Sequence, residues 1–243
     1  MRDGRVHGLI LAGGEGARLS AEGVGVPKPL APLGGEPLVV RLLATLAEVG
    51  CETLTCMVRD DFAAVFQLLD GRRFGPPLAV HACHTASSLH TLARGLEAIP
   101  AGLVFCTMVD TVMPPNDWRA VYGGVGDALA VGEDVVLAVT PFVDDESPLY
   151  VRRDARGRVL ALSDEPVDPP CVTGGVYGFG GMARRAAADA VGQGVARMRG
   201  FLKWLVGRGG RVGTVTVPRI LDIDHAVDLR LANAWLASPE AQA

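Results

Sequence analysis

The chain has 243 residues, of which 49% are hydrophobic and 21% charged, with a net charge of −4. This mix excludes an intrinsically disordered chain, and no apolar run reaches the roughly 20 residues that a membrane-spanning helix needs. The 23 lysines and arginines are not gathered into a block, which argues against nucleic acid as a partner and leaves any polyphosphate site to be built locally.

Residues 1–11 carry Asp3 within their charged stretch and only a short apolar run, so no secretory leader is expected and the setting is read as cytoplasmic. Residues 6–11 form a buried strand that ends abruptly in a loop with Gly13, Gly14, Gly16, Gly23 and Gly25. Pro37 stands at a helix start, and Leu38, Leu42, Leu43, Leu46 and Val49 keep helical spacing up to Gly50. A strand over 53–58, a helix near 61–69 and a strand over 78–83 follow. Ser87 is placed to cap a helix running through Ile99, and residues 103–109 make a fourth strand that ends at Asp110.

Beyond Asp110 the rhythm changes. Strand-like runs at 135–139, 149–152, 158–163 and 172–179 are separated by turn residues, with little helix expected between them. Helical spacing returns over 183–191 and 195–206, a last strand spans 211–217, and Asp224 can cap a final helix through Leu236. Alternating strands and helices predict an α/β fold: a three-layer, Rossmann-like α/β/α arrangement on a mostly parallel mixed sheet, with a smaller β-rich lobe. Ligand sites in such sheets gather at the carboxyl ends of strands, where both the glycine loop and Asp110 fall.

Three features bear on chemistry. A dinucleotide fingerprint starting at Gly14 would need glycine where Leu19 stands, and no P-loop Gly-Lys-Ser/Thr is present. The loop is still suited to an anion, because glycine lets backbone N–H groups approach phosphate closely. Arg18 offers a forked guanidinium and Lys28 a compact ammonium; Lys28 and Lys203 are the only lysines in the chain. The five cysteines, Cys51, Cys56, Cys83, Cys106 and Cys171, form no CxxC pair and are expected to be reduced and packed.

The segment LAGGEGARL…PKPLAPLGGEPL resembles the opening of the nucleotidyltransferase superfamily that includes sugar-1-phosphate nucleotidylyltransferases and small cytidylyltransferases. The family pattern is Leu-Ala-Gly/Ala-Gly-x-Gly-x-Arg followed by Pro-Lys-x-Leu. The resemblance implies one domain over residues 1–243, with an NTP-binding half (1–110) and an acceptor-binding half with a closing helix (111–243). It implies that Leu11, Ala12, Gly13, Gly14 and Gly16 line the nucleotide and that Ser87 and Ser88 border the base. As bare sequence, the two serines read equally well as a capping pair. The match to Lys28 would hold the α-phosphate and that to Arg18 would steady the leaving pyrophosphate.

Asp110, at the end of LVFCTMVD, is similar to the family's metal-binding aspartate, although Val109 stands where members more often have glycine. LDIDHAVDLRLAN resembles the closing Asp-Ile-Asp-Thr-Pro-Glu-Asp-Leu segment, with His225 and Ala226 replacing Thr-Pro; Asp224 is then the second carboxylate on Mg²⁺ and Asp222 its understudy. Read alone, Asp224 is equally an N-cap. Asp164-Glu165-Pro166 lies where many sugar enzymes carry Glu-Lys-Pro, whose lysine meets the acceptor phosphate; that lysine is missing here, and the resemblance implies Asp164 as an acceptor contact. Gly174, Gly175 and Tyr177 resemble an acceptor-lining strand, with a β-bulge as the alternative for the glycines.

The expected reaction is transfer of a nucleotidyl group from an NTP to a small phosphorylated acceptor, releasing pyrophosphate. The expected partners are those two substrates and, in a homodimer, a second copy of the chain. The competing readings are a metal-dependent glycosyltransferase, a molybdopterin nucleotidyltransferase and a non-catalytic nucleotide-binding homologue. Asp110-Thr111-Val112 lacks the second acid of the glycosyltransferase Asp-x-Asp.

Overall fold

The computed structural model describes residues 5–242, so Asp3 and its charged stretch lie outside them. Strand β1 (Val6–Ala12) runs into helix α1 (Ala17–Ala21). A 3-10 turn over Lys28–Leu30 leads to a small ribbon, β2 (Pro32–Leu33) with β3 (Glu36–Pro37), and then to α2 (Leu38–Val49). The alternation continues through β4 (Thr53–Arg59), α3 (Ala63–Leu69), β5 (Leu78–Cys83), α4 (Ser88–Ala98) and β6 (Leu103–Met108). Next come β7 (Thr111–Val112), α5 (Pro115–Ala130), β8 (Val135–Thr140), β9 (Tyr150–Arg153), β10 (Val159–Ser163) and β11 (Val172–Phe179). Helices α6 (Ala183–Gly192) and α7 (Arg197–Gly207), strands β12 (Val212–Thr216) and β13 (Leu221–Asp222), and helices α8 (Ala226–Leu236) and α9 (Pro239–Gln242) follow.

The main sheet runs β10-β9-β11-β6-β1-β4-β5, with β8 paired to β11 and β12 paired to β8. Strands β6, β1, β4 and β5 are mutually parallel, and β11 runs antiparallel to β6. The expected β-rich lobe is therefore the antiparallel end of this same sheet. Alternation along β1 sends Leu9 and Leu11 to one face, against α4, α6 and α7, and Ile10 and Ala12 to the other, against α2, α3 and α5. These are the three expected layers.

The sixteen-residue helix α5 falls in residues 111–134, for which the sequence reading named no element. Gly123, Gly124 and Gly126 lower its intrinsic propensity, yet Trp118, Val121, Val125 and Leu129 are buried at helical spacing. Gly124 serves packing, whereas a Cβ on Gly123 or Gly126 would meet open space. A Cβ on Gly124 would lie 2.8 Å from Val215 Cγ2, and one on Gly178 would collide with Val125 Cγ1. Tertiary contact thus overrides propensity here.

Among the described residues, no helix is long and apolar enough to cross a membrane. All five cysteines are buried and unpaired.

Candidate active site

The carboxyl end of β1 opens into the glycine loop. Gly16 sits at φ +62°, in the left-handed region, and a Cβ there would lie 2.8 Å from Lys28 Cβ. Only glycine lets the loop turn this tightly against Lys28. Pro27, Lys28 and Pro29 make the 3-10 turn stiff, and Lys28 is buried.

The partners of Lys28 come from far along the chain. Its Nζ donates to Asp110 Oδ2 at 2.5 Å and to Asp224 Oδ1 at 2.7 Å. The short ribbon of β7 and β13 brings these acids together, pairing Asp222 with Thr111 and Leu221 with Val112. The N–H of Ile223 also donates to the Asp110 carbonyl. Because both bonded oxygens lie on one nitrogen, they are no farther apart than about 5 Å, within reach of a single hard cation. The ammonium marks the point on which the two carboxylates converge, and their oxygen-only chemistry suits a divalent ion.

Burial disfavours the charged ammonium, but Asp110 and Asp224 outweigh it and hold the Lys28 pKa above the ordinary lysine value. For Asp224, partial burial opposes ionisation, yet Lys28 and then Arg18 hold its pKa below the usual carboxylate value. The raised group is Asp222, whose charge is disfavoured first by burial and then by Asp110. Asp222 Oδ1 accepts a hydrogen bond from Thr111 Oγ1 at 3.2 Å.

Asp224 does not cap α8. That end begins at His225, where Asp228 accepts the N–H groups of both Asp224 and His225, and Glu22 accepts that of Ala226. The Asp224 carboxylate is thereby left for Lys28 and for Arg18, whose Nη1 lies 3.2 Å from Oδ2. Arg18 also faces Glu146 at 3.8 Å.

A cavity of about 250 Å³ lies beyond the loop, lined by Leu11, Gly13, Gly14, Ser87 and Ser88. Ala12 is fully buried behind it. Neither serine caps α4 with its hydroxyl: Ser87 Oγ contacts His90 Nδ1 at 2.8 Å and accepts the Arg197 N–H, while Ser88 Oγ accepts the Met198 N–H. The two serines therefore tie the start of α4 to the start of α7.

A second cavity of about 250 Å³ opens next to Asp110, Asp222 and Asp224 and is lined also by Gly175, Tyr177, Arg197 and Arg199. Burial raises the Tyr177 phenol pKa, and the negative charge of Asp222 adds to it. Gly175, at φ +69°, sits where the pairing of β11 with β8 shifts register, and a Cβ there would strike Thr111. A Cβ on Gly174 would strike Ile220. These glycines thus sit at a bulge, and Gly175 also lines this cavity.

Asp164 is bound by its own chain: Arg199 Nη1 at 3.1 Å and Lys203 Nζ at 2.5 Å. Lys203 first, with Arg199 adding to it, holds its pKa below the usual carboxylate value. Sequence reasoning missed Asp145, which lines this second cavity, Glu146, which pairs with Arg18, and the two arginines. Helix periodicity around 195–206 was visible, but nothing in it said which face meets the site.

A glycine loop and two cations beside convergent carboxylates, all at strand ends of an α/β sheet, define a protein that handles nucleotides or related polyphosphates. Residues 8–169 match the MobA-like NTP transferase domain, and the chain belongs to this family of nucleotidyltransferases, which generally use a divalent metal. A glucose-1-phosphate thymidylyltransferase of Actinoplanes sp. is 28% identical over 71% of this chain, and the match spans 57% of that relative's length. A 2-C-methyl-D-erythritol 4-phosphate cytidylyltransferase of Saccharopolyspora erythraea is 29% identical over 96% of this chain and 99% of its own. A Bacillus anthracis structure named for glucose-1-phosphate thymidylyltransferase superposes with a TM-score of 0.81 at 19% identity, covering 95% of this chain and 94% of that one.

Proposed function

We infer that the protein transfers a nucleotidyl group from an NTP to the phosphate of a small sugar or polyol phosphate. The observation that carries this reading is the single point shared by Lys28, Asp110 and Asp224 beside the glycine loop. One oxygen of the acceptor phosphate forms a bond to the α-phosphorus. The bond from that phosphorus to the bridging oxygen breaks, and its electrons leave with pyrophosphate. A phosphate nucleophile is already an anion, so no general base is required.

Lys28 meets the charge that builds on the α-phosphate, and Arg18 meets the departing pyrophosphate. Both cations are already oriented by Asp224, so they need little reorganisation on binding. Mg²⁺, held by Asp110 and Asp224 with Asp222 behind them, would neutralise the polyphosphate. Leu11, Gly13, Gly14 and Gly16 form the nucleotide rim with Ala12 packed behind them, Ser87 and Ser88 stand at the base cavity, and Gly175 and Tyr177 line the acceptor side. In this reading residues 1–110 serve the NTP and 111–243 the acceptor within one domain. The buried, unpaired thiols support a cytoplasmic setting.

The test is pyrophosphate release with each of the four NTPs against a panel of sugar and polyol phosphates, with and without Mg²⁺. The right NTP should also stabilise the protein by about 2.7 kcal/mol at a hundred times its Kd. Transfer of sugar from a nucleotide-sugar to an acceptor with release of the nucleotide, and no pyrophosphate from any NTP, would identify a glycosyltransferase instead.

A further inference from the structure

Resting on the transfer reading above, we propose that Arg199 and Arg197, at the start of α7, bind the acceptor phosphate, and that Asp164 and Lys203 position Arg199 for it. The acceptor phosphate must reach the α-phosphorus, and therefore must enter the cavity walled by Asp110, Asp145, Asp222 and Asp224. Those carboxylates repel a phosphate dianion. Among the described residues lining that cavity, the cationic side chains are Arg197 and Arg199, both at the start of α7.

Their construction fits this role. Arg199 spends one Nη1 hydrogen on Asp164 and one Nη2 hydrogen on the Ser147 carbonyl, so three of its five N–H donors stay available. Lys203 occupies the other oxygen of Asp164, which keeps that carboxylate from collapsing onto the guanidinium as a forked pair. The guanidinium is fixed and incompletely used. Arg197 stands at φ +63°, an uncommon conformation for a non-glycine residue, and its side chain has no recorded partner among the described residues. Its backbone is pinned there by the Ser87 hydroxyl, which accepts the Arg197 N–H at 3.1 Å. Strained backbone held in place by its surroundings is characteristic of ligand clamps.

The sequence made Asp164 an acceptor contact and noted that the expected lysine is replaced by Glu165. The structure assigns the cation to another element: α7 delivers it across the cavity, and Asp164 becomes a positioning residue. Two guanidinium groups also favour a terminal phosphate, with three free oxygens and nearly two negative charges, over a singly charged phosphodiester.

The test uses the full chain saturated with Mg²⁺ and α,β-methylene NTP. Inorganic phosphate is titrated into wild type, Arg199→Ala, Arg197→Ala and Arg199→Lys, with Arg72→Ala as a charge-matched exposed control. Phosphate should bind wild type and Arg72→Ala alike, weaken at least tenfold in both alanine variants and recover in part in Arg199→Lys. In turnover with glucose-1-phosphate or 2-C-methylerythritol 4-phosphate, whichever wild type uses, acceptor KM should rise at least tenfold in Arg199→Ala while NTP KM stays within twofold. Asp164→Asn should raise acceptor KM about threefold without changing the thermal midpoint. Phosphate binding in both alanine variants at wild-type strength overturns the proposal, as does wild-type protein that takes up no phosphate. If phosphate binding depends on Arg199 but no NTP and acceptor pair releases pyrophosphate, the phosphate site stands and the transfer reading fails.

Discussion

Gly16 and Lys28 touch across the mouth of the glycine loop, with room for a hydrogen but not for a methyl group between them. Gly16→Ala therefore faces two penalties: an L-residue at φ +62°, costing roughly 1–2 kcal/mol, and displacement of the Lys28 stem. The variant should fold with a lowered thermal midpoint and lose at least ~10-fold in turnover, since the ammonium shifts from its place. Wild-type turnover in a folded Gly16→Ala protein would detach the loop's geometry from catalysis.

Lys28→Ala tests the centre itself. Lys28 is buried between two carboxylates, so it bears on folding as well as on chemistry. Removing it leaves two acids uncompensated, which should cost on the order of 2–3 kcal/mol in metal-free protein, with turnover falling ~10²-fold or more. Mg²⁺ should restore part of the lost stability in the variant more strongly than in wild type. A midpoint insensitive to Mg²⁺ would count against a shared cation point.

Asp110→Asn tests the balance of charge around Lys28. Two acids without a cation would repel, so neutralising one should help. With Lys28 already between them, the variant instead deprives a buried ammonium of half its pairing. Urea unfolding should show a loss of ~1–2 kcal/mol together with collapse of Mg²⁺-dependent activity. A stability gain would mean that the carboxylates repel more than Lys28 attracts.

Arg18 is half exposed, so its pairs with Asp224 and Glu146 contribute little to folding. Arg18→Lys should unfold within about 0.5 kcal/mol of wild type yet turn over at least ~10-fold more slowly, because an ammonium cannot make the forked phosphate contact. Unchanged kinetics in that variant would remove Arg18 from the leaving-group role.

The thiols give a pH test independent of the site. Burial pushes Cys51 and Cys56 up to about 12 and Cys106 higher still. Unfolded thiols ionise near pH 8.5 whereas these stay protonated in the fold, so their contribution is intact below that value and fades as pH rises toward the folded pKa. Stability should thus fall between pH 8 and pH 10, by up to ~1.4 kcal/mol per thiol per pH unit above 8.5. Equal urea midpoints at the two pH values would contradict the burial of these cysteines. In native protein at pH 8 no thiol should react with a disulfide reagent, and all five should react after unfolding.

The local pattern of residues determined a good deal. Apolar runs bounded by glycine and proline set β1, β4 and β6 close to where they stand, since a strand buried on both faces must be continuously apolar. The glycine loop with Arg18 and Lys28 was legible because its function depends on spacing within one short segment. What tertiary structure alone decided was everything that depends on approach between distant segments. Helix α5 forms despite three glycines because Trp118, Val121, Val125 and Leu129 are buried against the sheet, and Gly124 lets its backbone approach Val215. Glu22 caps α8 from some two hundred residues away, which releases Asp224 from the capping role its position suggested. The ribbon of β7 and β13 delivers two aspartates to one lysine, and α7 turns Arg199 toward a cavity whose other wall is acidic. Sequence periodicity records which face of an element is apolar; the charge that meets another charge across a cavity is fixed only when the elements pack.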